Sequence, residues 1–226
     1  MKNILEQNDL FIFDLDGTLV DTSPDIIESV RHALKEMNLP SRSDRDIRES
    51  IGGGAKVIIE KNIPMDKQHL VENGVQLFRE HYDQYCTVSS KLYPFAFELI
   101  QSLKSNNKLI AVFTFKTKDA TLKILKDYGI LDYIDLVITK DDVKVSKPHP
   151  EGIHIIQNRL NYHDHRRIVM IGDTSFDIEV GKNAKTNTIA VTYGYEPGIE
   201  KTSPYADHYI DSLAELLDTP PKEKTK

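Results

Sequence analysis

Leu10–Leu19, which reads LFIFDLDGTL, is the stretch of sequence that decides the fold. It begins with four apolar residues, two of them phenylalanines, and turns polar at Asp14. An unbroken apolar run of this length is typical of a strand buried on both faces, and such strands usually belong to parallel sheets covered by helices. The sequence therefore predicts an α/β protein whose first strand lies inside a doubly wound parallel sheet.

Asp14 and Asp16 lie two residues apart at the carboxyl end of this predicted strand. In extended backbone both side chains leave on the same side, toward the crevice where open α/β sheets bind ligands. Two carboxylates this close repel each other, and they are tolerated where a divalent cation neutralises them or where one is protonated. Hard oxygen ligands of this kind suit Mg²⁺, which is the expected cofactor.

Two other interpretations of the Asp-x-Asp-Gly pattern have to be weighed. Asp and Gly are turn formers, so the pattern is also typical of a surface turn. An EF-hand loop needs oxygen ligands at alternating positions before its Gly and a Glu at its end, and the register here is wrong for that. Neither interpretation explains the buried strand in front.

Composition limits the kinds of partner that this chain can have. The 226 residues are 39% hydrophobic and 28% charged, which is ordinary for a water-soluble protein, and the net charge is -6. An acidic surface repels the phosphates of nucleic acids and anionic membranes, so neither is an expected partner. A small phosphorylated metabolite stays possible, because a local lysine cluster can hold it.

The expected location is the cytoplasm. The first residues contain no apolar run long enough for a signal peptide or a membrane span. The single cysteine, Cys86, cannot form an internal disulfide, which fits a reducing compartment. A monomer or a homodimer is expected.

Two kinds of pattern divide the chain. Between residues 22 and 87 apolar residues recur at helical spacing without strand-like alternation, which predicts an all-helical insert. From Leu92 onward strands alternate with helices, so the core is expected to comprise residues 1–21 and 88–226, with 220–226 as a solvated tail. The strands expected in this part are Leu109–Phe113, Asp135–Ile138, Ile168–Ile171, Thr188–Val191 and His208–Ile210.

Polar residues follow several of these strands. Thr114 comes directly after the second parallel strand, Lys147 lies in the loop after the third, and Asp173 and Asp177 follow the fourth. Taken singly, each has an ordinary explanation as a helix cap, a surface lysine, a turn residue or a first-turn acid. The carboxyl ends of parallel strands meet at one edge, so their joint occurrence predicts one site.

The same residues resemble a known family. Phe13–Thr22 is similar to the first motif of the haloacid dehalogenase-like phosphohydrolases. That family has a Thr or Ser after its second strand, a Lys before Pro, and an acidic pair in Gly-Asp-x-x-x-Asp, which match Thr114, Lys147–Pro150 and Gly172–Asp177. The resemblance extends from about residue 10 to 217 and implies a Rossmann-like core with a helical cap.

The resemblance implies a role for each acid of the site. Asp14 would attack phosphorus and form an aspartyl phosphate, while Asp16 would donate and accept the proton. Mg²⁺ would be held by Asp14, the backbone carbonyl of Asp16, and Asp173. Asp177 would lie behind these groups and orient Lys147 or a metal-bound water.

The phosphoryl group would be held by the remaining motif residues. Lys147 would supply positive charge and the Thr114 hydroxyl a hydrogen bond, with Gly17 beside them. Relatives commonly carry Asn after the second-motif Thr, and this chain has Phe115, which would place an aromatic wall beside the substrate.

The insert at residues 22–87 resembles the cap of the phosphoglycolate phosphatase-like subgroup. Within Gly52–Gly54, Gly53 is expected to bring backbone N–H groups to a substrate anion, although a flexible joint between helices is an equal alternative. Arg45, Arg48 and Lys56 are candidates for a substrate carboxylate or second phosphate, or are ordinary solvated side chains.

The sequence leads to a Mg²⁺-dependent phosphatase of small phosphomonoesters, with phosphoglycolate as the leading substrate. A phosphosugar mutase of the β-phosphoglucomutase type would use the same phosphoenzyme, but its His-containing cap entrance is missing. A phosphonate hydrolase would need a desolvated cap lysine, and none is marked. A catalytically idle binding protein would be expected to lack one of the motif residues, and Asp14, Asp16, Lys147 and Asp173 are all present.

Overall fold

Six parallel strands form the central sheet of the computed structural model, which describes residues 2–217. The predicted tail at 220–226 lies outside the described residues. A further pair of short strands, β2 and β3, runs antiparallel beside the sheet. In chain order the strands are β1 (Leu10–Phe13), β2 (Val20–Asp21), β3 (Lys91–Leu92), β4 (Leu109–Phe113), β5 (Leu136–Ile138), β6 (Ile168–Gly172), β7 (Asn187–Val191) and β8 (His208–Ile210).

The strand order across the sheet is β5-β4-β1-β6-β7-β8. The chain therefore runs outward from β1 on one side and then returns to build the other side, which is the Rossmann-like doubly wound topology. The predicted α/β fold class is confirmed. Because the winding direction reverses at β1, the crevice at its carboxyl end is the place where this topology binds ligands.

Helices cover both faces of the sheet and form the segment between β2 and β3. They are α1 (Lys2–Gln7), α2 (Ser23–Glu36), α3 (Asp44–Arg48), α4 (Ala55–Asn62), α5 (Val71–Tyr85), α6 (Ala96–Ser105), α7 (Lys118–Asp127), α8 (Glu151–Arg159), α9 (Ser175–Asn183) and α10 (Ile199–Thr202). Short 3-10 turns lie at Met65–Leu70, Leu131–Tyr133, Lys140–Asp142, His165–Arg167 and Leu213–Leu216. No helix in the described part of the chain has the length and apolarity required to cross a bilayer.

Strand β1 is buried on both faces, as its composition predicts. Its four residues are all 0% exposed. Phe11 and Phe13 belong to the hydrophobic cluster on one face of the sheet, whereas Leu10 and Ile12 belong to the cluster on the other. Alternate residues of a strand point to opposite faces, so β1 joins both layers of the core.

Three details differ from the sequence-based expectations. Helix α1 precedes β1, where no element was predicted, and its Ile4 and Leu5 are buried in the core. The insert predicted as helical contains a 3-10 turn at Met65–Leu70, after which the chain becomes α-helical at Val71. Strands β2 and β3 were not predicted, because two residues each are too few to show a periodicity.

Asp25, in the first turn of α2, links the two points at which the chain passes between the sheet and the helical segment. Its carboxylate accepts hydrogen bonds from the backbone N–H groups of Ser89 and Ser90 at 2.9 Å each, and from the Ser90 hydroxyl at 2.5 Å. The helix dipole favours an acid in the first turn of α2, and the tertiary contact adds a stronger reason for Asp25. A buried carboxylate with three donors links the start of α2 to the chain that follows α5.

Asp9 is the corresponding link at the opposite edge of the sheet. Its carboxylate accepts hydrogen bonds from Arg167 Nε at 2.6 Å, Tyr162 Oη at 2.8 Å and Lys108 Nζ at 3.0 Å. The Arg167 guanidinium, followed by Lys108 and Tyr162, holds the pKa of the Asp9 carboxyl well below its usual range, although partial burial acts in the opposite direction. The ionised form of Asp9 is therefore the stabilising one in the folded state.

We expect Asp9→Asn to lower the free energy of unfolding at neutral pH by about 1–2 kcal/mol, a value reduced because the site is partly exposed. The folded-state pKa is depressed, so this stabilisation is present above the unfolded-state pKa of about 3.9 and is lost as the pH falls further. The difference between wild type and variant should therefore shrink below about pH 4. Urea unfolding measured from pH 3 to pH 7 checks this.

Asp132→Asn is the matched control, because Asp132 is exposed and forms no ion pair within residues 2–217. It should leave the stability within about 0.5 kcal/mol of wild type at every pH. An Asp9→Asn penalty that stays constant down to pH 3 would contradict the assigned ionisation.

Candidate active site

The carboxyl ends of β1, β4 and β6 lie side by side and carry the polar residues that the sequence singled out. Phe13 pairs with Val112 of β4 and with Ile171 of β6, so the three strands end at nearly the same level. Asp14 and Thr114 follow directly, and both are buried. The predicted convergence at one sheet edge is thus a consequence of strand register.

Lys147 lies between two carboxylates at this edge. Its Nζ donates hydrogen bonds of 2.7 Å to Asp14 Oδ1 and 2.7 Å to Asp177 Oδ1, and its side chain is 1% exposed. The ammonium group also lies 4.9 Å from the ring centre of Phe113 and 5.4 Å from that of Phe115. Lys147 is therefore a fixed, water-excluded positive charge against Asp14.

Asp14, Asp173 and Asp177 form a buried cluster. One carboxylate oxygen from each lies within 4.8 Å of the others. Burial raises the pKa of Asp14 and of Asp173, and repulsion from the neighbouring carboxylates adds to this, while Lys147 opposes it at Asp14. Burial alone would lower the pKa of Lys147, but Asp14 and Asp177 raise it above its ordinary value.

This donor set fits a small divalent cation. Three buried carboxylates facing one ammonium group leave an excess of negative charge, and burial first and mutual repulsion second raise the pKa of Asp14 and of Asp173. Carboxylate oxygens are the ligands that Mg²⁺ prefers. A bound cation would relieve the repulsion that the lysine only partly offsets.

Asp173 is held by hydrogen bonds from a backbone N–H group and a hydroxyl group, and two glycines leave room for its carboxylate. Tyr195 N donates to its Oδ2 at 2.7 Å and Thr18 Oγ1 to its Oδ1 at 3.2 Å. A Cβ atom at Gly17 would lie 2.2 Å from Asp173 Oδ2, and one at Gly194 would lie 2.1 Å from Asp173 Cβ. Both positions require glycine because the carboxylate occupies the space of a side chain.

Asp177 is fixed by a capping box at the start of α9. Its Oδ2 accepts hydrogen bonds from Thr174 N at 3.1 Å and Thr174 Oγ1 at 2.7 Å, which leaves Oδ1 for Lys147. A Cβ atom at Gly172 would lie 2.2 Å from Asp177 Cγ. Asp177 was predicted to orient Lys147, and the two side chains are in direct contact.

The Asp16 side chain points away from this cluster. Its Oδ1 accepts a hydrogen bond of 2.5 Å from Thr22 Oγ1 and lies 3.1 Å from Lys116 Nζ. Lys116 also donates to Tyr82 Oη of α5 at 2.8 Å. Lys116 was not predicted from the sequence. Its position two residues after Thr114, at the same strand end, could have indicated that it belongs to the site.

Tyr195 was also missed as a part of the site. Its Oη accepts hydrogen bonds from Thr22 N at 2.7 Å and Ser23 N at 2.9 Å, and donates to Asp21 Oδ1 at 3.0 Å. Thr22 precedes α2, but its hydroxyl makes no capping hydrogen bond to the helix. Because Tyr195 satisfies the first N–H groups of the helix, the Thr22 hydroxyl is available to Asp16.

A cavity of about 70 Å³ lies between this sheet edge and the helices α2, α4 and α5. Asp14, Asp16 and Thr114 line it from the sheet, and Gly52–Gly54 line it from the helical segment. All three glycines have positive φ angles. Phe115 also lines the cavity, and its ring meets that of Phe176 edge-on at 5.6 Å between centres.

The three cap cations that the sequence suggested do not line this cavity. Arg45 is paired with Glu49 and Lys56 with Glu72, all on the surface. Arg48 lies 3.6 Å from Asp21, and its guanidinium lies 4.9 Å from the ring centre of Tyr195. Their alternative interpretation, as exposed or structural side chains, describes these positions better.

Comparison with known proteins identifies the family. The sequence model of the haloacid dehalogenase-like hydrolases matches residues 11–191. A phosphoglycolate phosphatase of Colwellia psychrerythraea is 34% identical over 221 residues, which cover 94% of this chain and 97% of that protein. An N-acetylmuramic acid 6-phosphate phosphatase of Pseudomonas putida is 36% identical over 207 residues, covering 91% and 92%.

A solved structure shares the fold over nearly its whole length. The crystal structure described as a predicted phosphoglycolate phosphatase from Haemophilus somnus has a TM-score of 0.84 at 27% identity, covering 93% of this chain and 96% of that one. A doubly wound sheet with acids and a lysine at its carboxyl edge is the framework of a hydrolase. The chain belongs to the haloacid dehalogenase-like hydrolase family and is a phosphatase.

We expect Gly17→Ala to destabilise the protein by about 2–4 kcal/mol. Part of this, about 1 kcal/mol, comes from placing a Cβ atom at a φ of 83°. The remainder, about 1–3 kcal/mol, comes from the clash with the Asp173 carboxylate. Urea denaturation at neutral pH measures the total.

Gly129→Ala separates the two contributions. Gly129 has a φ of 69°, and a Cβ atom there would meet nothing within 4 Å. This control should show only the conformational cost of about 1 kcal/mol. Equal penalties at both positions would mean that Asp173 does not need the space beside Gly17.

Proposed function

We propose that this protein is a Mg²⁺-dependent phosphatase that hydrolyses small phosphomonoesters, phosphoglycolate-like in size and charge, through an aspartyl phosphate on Asp14. The observation that carries the proposal is the pairing of Asp14 with the buried Lys147 inside a carboxylate cluster. Lys147 favours the ionised form of Asp14 against the effect of burial, and it is a positive charge that a phosphoryl group can share.

The residues proposed to hold Mg²⁺ are Asp14, the backbone carbonyl of Asp16, and Asp173. The ion would supply positive charge that neutralises the phosphoryl oxygens. Gly17 and Gly194 support this assignment, because they leave room for the Asp173 carboxylate where side chains would otherwise stand.

The chain's own groups would bind and orient the phosphate. The proposed ligands of its oxygens are Lys147, the Thr114 hydroxyl and the backbone at Gly17. Phe115 is proposed as a wall beside the ester, since it lines the cavity. The contact between Asp177 and Lys147 supports the proposed role of Asp177 in orienting that lysine.

Asp14 would then attack phosphorus. One of its carboxylate oxygens forms the bond to phosphorus as the bond from phosphorus to the ester oxygen breaks, which leaves an acyl phosphate on the protein. Water hydrolyses that acyl phosphate, releases inorganic phosphate and regenerates the carboxylate.

Asp16 is proposed to move the protons. It would protonate the leaving alkoxide oxygen and later accept a proton from the attacking water. Its hydrogen bond with Thr22 and its ion pair with Lys116 hold the side chain apart from Asp14, so the two acids can serve different steps.

The helical segment at residues 22–87 is proposed to act as a cap over the core formed by 1–21 and 88–226. Gly53 is proposed to contact the substrate, and its place in the cavity lining supports this. The relatives act on phosphoglycolate and on N-acetylmuramic acid 6-phosphate, so a small phosphorylated metabolite is the proposed substrate. We place the reaction in the cytoplasm and expect a monomer or homodimer.

Asp14→Asn should lower kcat for p-nitrophenyl phosphate at least about 10³-fold, because an amide cannot serve as the nucleophile. It should also abolish acid-stable labelling of the protein by a ³²P-phosphate ester. Steady-state assays and a rapid-quench labelling experiment measure the two effects.

Asp132→Asn serves as the control and should keep both wild-type turnover and labelling. EDTA should remove wild-type activity and added Mg²⁺ should restore it. Turnover that survives in the Asp14→Asn protein would rule out Asp14 as the nucleophile.

Asp16→Asn should affect esters according to their leaving groups. Alkyl phosphates need a proton on the departing oxygen, so their kcat should fall about 10²–10⁴-fold. The p-nitrophenolate ion leaves without a proton, so formation of the phosphoenzyme from p-nitrophenyl phosphate should fall much less. Pre-steady-state bursts with both esters test this, and equal losses would argue against a proton-donor role.

A further inference from the structure

Three cationic side chains line the cavity between the sheet edge and the helical segment, within the part of the chain that the structure describes. They are Arg79 of α5, Lys116 and Lys140. Lys116 lies 3.1 Å from Asp16 and Lys140 lies 2.9 Å from Asp141, so both have a carboxylate partner. Arg79 differs, because its Nε is buried and has no hydrogen-bond partner among residues 2–217.

A buried Nε–H without an acceptor is unfavourable, because this N–H has given up its hydration without gaining a partner. Ile51, Ile58 and Phe78 form an apolar part of the cavity lining, and none of the polar residues in the lining accepts a hydrogen bond from Arg79 Nε. Asp83 lines the same cavity one turn further along α5, but it forms no ion pair with Arg79 among the described residues. The cavity is where an acceptor for Arg79 can enter.

We propose that Arg79 binds a carboxylate of the substrate and thereby selects phosphate esters of short carboxylic acids. The planar guanidinium fork matches a carboxylate, with two parallel hydrogen bonds. This inference rests on the proposed function, because the phosphoryl end of the same molecule is assigned to Asp14 and Thr114 in the same cavity.

Arg79 and the proposed phosphoryl ligands Asp14 and Thr114 line one cavity, so a carboxylate and a phosphoryl group of the same small molecule can occupy it together. Phosphoglycolate, with one carbon atom between its ester oxygen and its carboxylate, is the simplest such molecule.

The test compares two esters that differ only in the group facing Arg79. Phosphoglycolate carries a carboxylate where 2-hydroxyethyl phosphate carries a neutral hydroxymethyl group. We expect wild type to favour phosphoglycolate in kcat/KM by at least about tenfold, and Arg79→Gln to reduce that preference by about 10- to 100-fold. Arg79→Lys should give an intermediate preference, because it keeps the charge and loses the fork.

Lys56→Gln is the matched control. It removes one positive charge from the same helical segment, but Lys56 pairs with Glu72 on the surface and does not line the cavity. The control should keep both the activity and the preference of wild type. A fall in preference in this variant would trace the effect to overall charge and overturn the role of Arg79.

The outcomes separate this inference from the proposed function. Hydrolysis of both esters without preference in wild type, or a preference that survives Arg79→Gln, overturns the carboxylate site and leaves the phosphatase proposal intact. If wild type hydrolyses neither ester with Mg²⁺, the proposed function fails, and isothermal titration with the same two esters decides the carboxylate site by the ratio of Kd values. Should Arg79→Gln fail to fold, the wild-type and Arg79→Lys ratios decide.

Discussion

Burial of charge at the carboxyl edge of the sheet is the constraint on which the rest of this structure depends. Asp14, Asp173 and Asp177 are buried together, and within residues 2–217 Lys147 is the cation that pairs with two of them, Asp14 and Asp177. Burying carboxylates is costly unless each is paired or hydrogen-bonded, so the surrounding chain supplies donors from backbone and hydroxyl groups. Glycines stand where a side chain would collide with an acid. An arrangement this costly to assemble persists where function uses the charge.

The same polar contacts connect the sheet to the helical segment. The Tyr195 hydroxyl accepts from the first N–H groups of α2, Asp25 accepts from the backbone where the chain returns, and Lys116 spans the distance from Asp16 to Tyr82 of α5. Any movement of the helices relative to the sheet therefore changes the surroundings of Asp16. This is a physical route by which occupation of the cavity can change the environment of Asp16.

The sheet and the helices form different walls of one small cavity. The sheet contributes acids, a hydroxyl and backbone, whereas the helices contribute apolar side chains and Arg79. Variation in the helices can then change one wall without disturbing the other. The relatives named for two different phosphate esters, at similar levels of identity, accord with this separation.

The sequence by itself determined the fold class, most strand and helix positions and the convergence of Asp14, Thr114, Lys147 and Asp173, because buried strands and motif spacing are local signals. It did not reveal the short strands β2 and β3, the helix before β1, or the 3-10 start of the helix near Asp66, where too few residues carry a period. Only the tertiary structure decided which cations line the cavity: the sequence suggested Arg45, Arg48 and Lys56, and the fold presents Arg79, Lys116 and Lys140 instead. A pattern of charges along a helix indicates which residues share a face, but what that face meets is set by how the helix packs against a distant part of the chain.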